Sequence, residues 1–66
     1  MEQGVVATYL PDLRAGLIDP DRGSDLVSFL QLAVRGGKIP AEGDRVEYKL
    51  YADTRKGLFA QDVVIV

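Results

Sequence analysis

Residues 14–23, RAGLIDPDRG, join a short β-prone run to a tight turn, and this combination decides the fold class. The β-prone run covers residues 15–19, and Pro20-Asp21-Arg22-Gly23 follows it directly. Pro, Asp and Gly in this order are typical of a type I turn, because Pro restricts the backbone and Gly tolerates the conformation that closes the turn. The stretch therefore predicts a strand that ends in a sharp reversal of the chain.

The same alternation of β-prone runs and turn residues continues along the rest of the chain. The other predicted strands are residues 5–10, 25–29, 45–52 and 58–66. In the fourth strand, Val46, Tyr48 and Leu50 alternate with charged residues, so this strand buries one face and exposes the other. Short strands separated by Gly, Pro and Asp are typical of a β-sandwich or a β-barrel.

A longer segment, residues 30–43, separates the third and fourth predicted strands. Its beginning, up to Val34, fits either an extension of the third strand or one helical turn, and both alternatives stay open. Residues 39–44, IPAEGD, form a turn that leads into the fourth strand. A long connection at this point is a feature of five-stranded barrels of the oligonucleotide-binding (OB) type.

The composition indicates a single small domain that spans residues 1–66. A chain of this size buries only about 60% of its unfolded surface, so we expect a thin core. The chain has no Cys and no His, which excludes disulfides and the usual zinc patterns. No apolar stretch approaches the roughly 20 residues that span a membrane, and residues 1–4 do not resemble a secretory signal. We expect a cytoplasmic protein, and leave open that the domain belongs to a longer chain.

The net charge of −2 comes from eight basic and ten acidic residues. Nucleic-acid-binding domains are more often basic, so this balance argues against tight binding, although a local basic face remains compatible with it. No carboxylate pair or nucleophile–base pair is recognisable, and Gly36-Gly37-Lys38 lacks the spacing of a phosphate-binding loop. The sequence therefore predicts no enzymatic activity, no catalytic residue, no metal and no cofactor.

Residues 4–63 resemble a cold-shock domain along nearly the whole chain. The first ribonucleoprotein motif of that family, Lys-Gly-Phe-Gly-Phe-Ile, matches residues 13–18, LRAGLI, and its Pro-containing acidic turn matches residues 19–23. The second motif, Val-Phe-Val-His-Phe, matches residues 25–29, DLVSF. Two later patterns match residues 42–48, EGDRVEY, and residues 57–63, GLFAQDV. The resemblance implies a five-stranded antiparallel OB-type barrel that binds single-stranded RNA or DNA.

The binding platform that this resemblance implies has lost most of its aromatic rings. It falls on Thr8, Tyr9, Ala15, Leu17, Leu26, Ser28 and Phe29, of which only Tyr9 and Phe29 carry a ring. A base stacked on a ring contributes roughly 1–3 kcal/mol, so we expect weak binding with little sequence preference. With the basic residues at its edges, the expected nucleic-acid site comprises Tyr9, Arg14, Leu17, Leu26, Phe29, Lys38 and Arg55.

The aliphatic replacements also suggest a second function. If Leu17 and Leu26 lie on the outer face with Ala15 and Tyr9, they form an apolar patch, and such patches usually mark a partner site. The alternative is therefore a regulatory protein-interaction module that binds a protein partner through these four residues. Phe59 has no aromatic counterpart in the family pattern, and we expect it to pack over the end of the barrel.

Overall fold

The β-prone runs form five strands that close into a barrel in the computed structural model, which describes residues 1–66. The strands are β1 (Glu2–Leu10), β2 (Ala15–Pro20), β3 (Val27–Leu30), β4 (Arg45–Asp53) and β5 (Gly57–Ile65). After β3, the short 3-10 turns Gln31–Ala33 and Arg35–Gly37 begin the connection to β4. Both alternatives for this segment are thus partly correct, because Leu30 extends the strand and a helical turn follows it. The predicted all-β fold of five strands is confirmed.

The strands are arranged in the order β1-β2-β3-β5-β4, and β4 pairs with β1 to close the ring. Four of the neighbouring pairs are antiparallel, whereas β3 and β5 are parallel. The prediction of a purely antiparallel barrel is therefore wrong. In a closed ring with an odd number of strands, directions cannot alternate all the way round, so at least one pair must be parallel. Here that pair brings Ser28 opposite Phe59.

The core consists of nine buried apolar side chains contributed by all five strands and the connection after β3. They are Val6, Ile18, Val27, Phe29, Val34, Val46, Tyr48, Ala60 and Val63. Val46 and Tyr48 are buried as the alternation in β4 predicts, but Leu50 is exposed. The reason is that β1 pairs with β4 only as far as Tyr48. Beyond this residue β4 pairs with β5 alone, and the two strands form a ribbon.

Gly16 allows the ring of Phe29 to enter the core. A Cβ atom at position 16 would lie 2.6 Å from the carbonyl oxygen of Thr8 and 2.7 Å from Cζ of Phe29. Any larger residue would therefore displace either β1 or this ring. The chain contains no helix long and apolar enough to cross a bilayer.

Candidate nucleic-acid interface

One row of side chains crosses all five strands on the outside of the barrel. The strand register places Thr8, Leu17, Ser28, Phe59 and Tyr51 next to one another in this order. Leu17 and Ser28 each lie between two buried residues of their strands, so the alternation of a β-strand directs them outward. None of the five side chains is fully buried. We call these five residues the outer row.

A groove of about 600 Å³ lies over β3, bordered by β2, β5 and the first 3-10 turn, and Ser28 and Phe59 of the outer row line it. Seven of its ten lining residues are hydrophobic. The lining residues are Ala15, Ser28, Phe29, Leu30, Leu32, Ala33, Lys56, Phe59, Ala60 and Gln61. The hydroxyl of Ser28 donates a hydrogen bond to the carbonyl oxygen of Leu58 at 3.2 Å, so it is already satisfied within the protein. The groove therefore offers mainly apolar surface, with Lys56 as its one charged lining residue.

Two of the three predicted aliphatic residues, Ala15 and Leu17, lie at or next to this groove. Leu17 belongs to the outer row, and Ala15 lines the groove. Leu26 directly precedes β3 and is 49% exposed. Two leucines that were not predicted as site residues extend this apolar surface, since Leu30 is also exposed and Leu32 has 95% of its surface exposed.

The two retained aromatic rings of the predicted platform point inward. Phe29 is only 2% exposed, so its ring is part of the core and has no accessible face for a base. Tyr9 is half-buried and stacks on Phe29, with 6.3 Å between the ring centroids. Its hydroxyl donates a hydrogen bond of 2.6 Å to Oε1 of Gln31. Tyr9 therefore anchors the first 3-10 turn to the barrel.

Gln31 also brings two of the predicted basic residues together. Its backbone N–H donates to the carbonyl oxygen of Arg14 at 2.8 Å, and its side-chain Nε2 donates to the carbonyl oxygen of Lys38 at 2.7 Å. Arg14, in the loop between β1 and β2, directly precedes Ala15 in the groove wall. The backbones of Arg14 and Lys38 are thus held on the side of the barrel where Tyr9 lies.

The third predicted cation, Arg55, lies in the β4–β5 hairpin together with Lys56. One carboxylate oxygen of Asp53 accepts hydrogen bonds from the backbone N–H groups of Arg55 and Lys56, at 2.7 and 3.1 Å. These bonds lower the pKa of Asp53 and fix the shape of the hairpin. The hairpin consequently places Lys56 in the lining of the groove, with Arg55 directly before it in the chain.

The predicted cations Arg14, Lys38 and Arg55 are free of ion pairs, whereas three other basic residues are paired. Arg35 and Lys49 both pair with Asp62, and Arg45 pairs with Asp21. The five basic residues without an ion pair are Arg14, Arg22, Lys38, Arg55 and Lys56. Of these, Lys56 lines the groove, Arg14 lines a neighbouring pocket with Tyr9 and Gln31, and Arg22 lies in a third pocket, beside the start of β1.

Sequence reasoning missed one aromatic feature of this surface. Tyr51 is 46% exposed and stacks on Phe59, with 5.7 Å between the ring centroids and 21° between the ring planes. Phe59 therefore lies on the outer face beside the groove. Two signals in the sequence indicate this pair. Tyr51 is out of phase with the buried Val46 and Tyr48, and a hairpin centred on Arg55 places Tyr51 opposite Phe59.

The surface combines exposed aliphatic groups, a pair of aromatic rings and basic side chains without ion-pair partners. No group of three or more His, Cys, Asp or Glu side chains is arranged to hold a metal ion. No protein-family model matches the chain, and no curated protein matches it. The inference of function therefore depends on the geometry of this surface.

Proposed function

We propose that this chain is a non-catalytic OB-type barrel, similar to a cold-shock domain, that binds single-stranded RNA or DNA weakly and with little sequence preference. OB-type barrels bind oligonucleotides on the face of strands 2 and 3, between the loop that joins strands 1 and 2 and the loop that joins strands 4 and 5. The observation that carries the proposal is the position of the free cations. Arg14 lies in the first of these loops, and Arg55 and Lys56 lie in the second.

The charges around these cations support the same function. The net charge of −2 disfavours contact with phosphates over most of the surface, so binding depends on local cations. Asp62 and Asp21 are held in ion pairs with other basic residues, and Asp53 is used to shape the hairpin. Arg14, Lys38, Arg55 and Lys56 therefore have no carboxylate partner and are available to neutralise phosphates, with Lys56 in the groove and Arg14 in the neighbouring pocket.

The weakness of the expected binding follows from the same surface. The outer face of β2 and β3 presents Ala15, Leu17, Ser28 and Leu30, which have no aromatic face for a base. These side chains contribute only non-specific apolar contacts, so the affinity for a short strand is expected in the micromolar range or weaker. Aliphatic contacts also carry no hydrogen-bond information about base identity, which explains the low sequence preference.

Fluorescence anisotropy of labelled oligo-dT and oligo-U tests this proposal. About three to four phosphate contacts predict a slope of roughly −2 to −3 for log K against log salt concentration. Arg55→Ala is expected to weaken binding and to make this slope shallower by about 0.7. Arg22→Ala is the matched control, because Arg22 is also free of ion pairs but lies away from the groove. Equal effects of the two substitutions, or no binding at low salt, would contradict the proposal.

A protein-interaction module is the second candidate, and the exposed leucines favour it. Leu30 and Leu32 are exposed and line a groove with mainly hydrophobic lining, and Leu26 is exposed just before β3. Contiguous exposed apolar surface of this kind marks many protein interfaces. This function predicts that the protein does not bind oligonucleotides. It also predicts that Leu17→Lys and Leu26→Lys each abolish binding of the partner protein, because the centre of an interface is depleted of charge.

A further inference from the structure

We propose that the stacked pair Tyr51 and Phe59, on the ribbon formed by β4 and β5, is the base-stacking site of this barrel. The ligand is an unpaired nucleobase of single-stranded RNA or DNA, so this inference rests on the proposed function and deepens it. It assigns the stacking contribution to strands β4 and β5, whereas the motif positions on β2 and β3 carry aliphatic and small side chains.

The geometry of the pair leaves aromatic surface in contact with solvent. Tyr51 and Phe59 are direct cross-strand partners, and their rings lie 5.7 Å apart and nearly parallel. Tyr51 is 46% exposed. A ring that is stacked on one side and exposed elsewhere presents the kind of surface on which bases stack. The ring of Phe29 is buried in the core and does not offer this surface, and that of Tyr9 is partly covered by its stacking on Phe29.

The pair is continuous with the groove and with a free cation. Phe59 lines the groove and lies opposite Ser28, which in turn lies opposite Leu17. Lys56 lines the same groove and has no carboxylate partner. A base stacked on the ring pair therefore places its neighbouring phosphate within the region that Lys56 and the hairpin border. The rest of the bound oligonucleotide can then follow an apolar path across β3 and β2.

A purely structural role is the competing explanation, since cross-strand aromatic pairs stabilise β-hairpins. The two roles predict different effects of a leucine substitution on oligonucleotide affinity. Phe59→Leu keeps an apolar side chain against Tyr51 but removes the π-face, so a structural role leaves oligonucleotide affinity unchanged in the folded protein. A stacking role predicts a loss of affinity for oligo-dT of about fivefold or more, the lower end of what a stacked base contributes.

The chain has no tryptophan, so Tyr51→Trp introduces a single fluorescent reporter at the proposed site. Stacking of a base is expected to quench this fluorescence as oligo-dT is added, with the same midpoint as the anisotropy titration. Val64→Trp is the matched control. Like Tyr51, Val64 is partly exposed, but it lies in β5 opposite Glu47, on a different part of the barrel. Its fluorescence is expected to stay constant.

The possible results separate failure of this inference from failure of the proposed function. Quenching in Tyr51→Trp but not in Val64→Trp, together with weaker binding by Phe59→Leu, supports the stacking site. If the wild-type chain binds oligo-dT, and Tyr51→Leu and Phe59→Leu bind it equally well, the stacking site is refuted while the proposed function stands. If the wild-type chain binds neither oligo-dT nor oligo-U, the proposed function is refuted and the stacking site falls with it.

Discussion

Replacing Leu17 by Lys tests whether Leu17 lies on the outer face of β2. The next residue, Ile18, points into the core, so the same replacement there serves as the comparison. Leu17 is half-buried in the outer row, between Thr8 and Ser28. Ile18 is 0% exposed and belongs to the core. A Lys side chain at position 17 is able to lay its hydrocarbon stem along the same apolar surface and keep its ammonium group in water. At position 18 the ammonium group has no route to solvent.

The structure predicts very different costs for the two substitutions. Full burial of a Leu side chain contributes about 1.5–3 kcal/mol, so losing part of the contacts of the half-buried Leu17 costs about 1 kcal/mol. For a domain of this size, this lowers Tm by roughly 4–8 °C. Ile18→Lys buries an unpaired charge, and the total stability of such a domain is only about 3–10 kcal/mol. We therefore expect Ile18→Lys to be unfolded.

Thermal denaturation followed by far-UV circular dichroism measures the change in stability of both variants. Oligo-dT binding over a range of salt concentrations measures the effect of Leu17→Lys on affinity. The new cation at Leu17→Lys is expected to add one phosphate contact. Affinity at low salt should then increase, and the salt slope should steepen by about 0.7. Unfolding of Leu17→Lys would refute the outer-face assignment. If Leu17→Lys folds but has reduced affinity for oligo-dT, the oligonucleotide does not cross β2 at this position.

Three further substitutions test particular contacts. Gly16→Ala places a Cβ atom 2.6 Å from the carbonyl oxygen of Thr8, and the resulting overpacking is expected to cost about 1–3 kcal/mol and to lower Tm by at least about 4 °C. Tyr48→Phe removes a buried hydroxyl that has no hydrogen-bond partner, and should increase the free energy of unfolding by about 1–3 kcal/mol in urea denaturation. Burial also raises the pKa of Tyr48, so the wild type should lose stability as the pH rises above about 10, and Tyr48→Phe should lack this loss. Arg35 and Lys49 lower the pKa of Asp62, so the stability contributed by its carboxylate is present above about pH 4 and is lost as the pH falls through the lowered pKa. Urea denaturation of Asp62→Asn should therefore show a smaller decrease in stability with acid than the wild type, and an equal decrease would contradict this assignment.

Local patterns explain how much of the fold is predictable from the sequence. The second predicted strand, residues 15–19, agrees with β2 to within one residue, because the Asp- and Gly-containing segment that ends it is a local signal, although Pro20 itself pairs with Gly4 as the last residue of β2. The parallel pairing of β3 with β5 is not encoded in either strand, since it results from closing a ring of five strands. The exposure of Leu50 likewise depends on where β1 stops pairing with β4, which is a long-range property.

The candidate site was harder to predict than the fold, because the position of a residue in a motif does not show to which face of the strand its side chain points. The motif match placed both Ser28 and Phe29 on the binding face, but neighbouring residues of a strand point to opposite faces. Val27 and Phe29 share the inward direction, and Ser28 points outward. The ring pair of Tyr51 and Phe59 lies outside the two ribonucleoprotein motifs, so only the alternation in β4 and the pairing of the β4–β5 hairpin indicate it.

The most direct test of the central claim is an NMR titration of the isotope-labelled protein with oligo-dT and oligo-U at low salt. The account predicts saturable amide shifts at Leu17, Ser28, Phe59 and Lys56, with a dissociation constant in the micromolar range or weaker, and no shifts at Val64 on a different part of the barrel. An unchanged spectrum at high oligonucleotide concentration, or shifts confined to the surface around Val64, would contradict it.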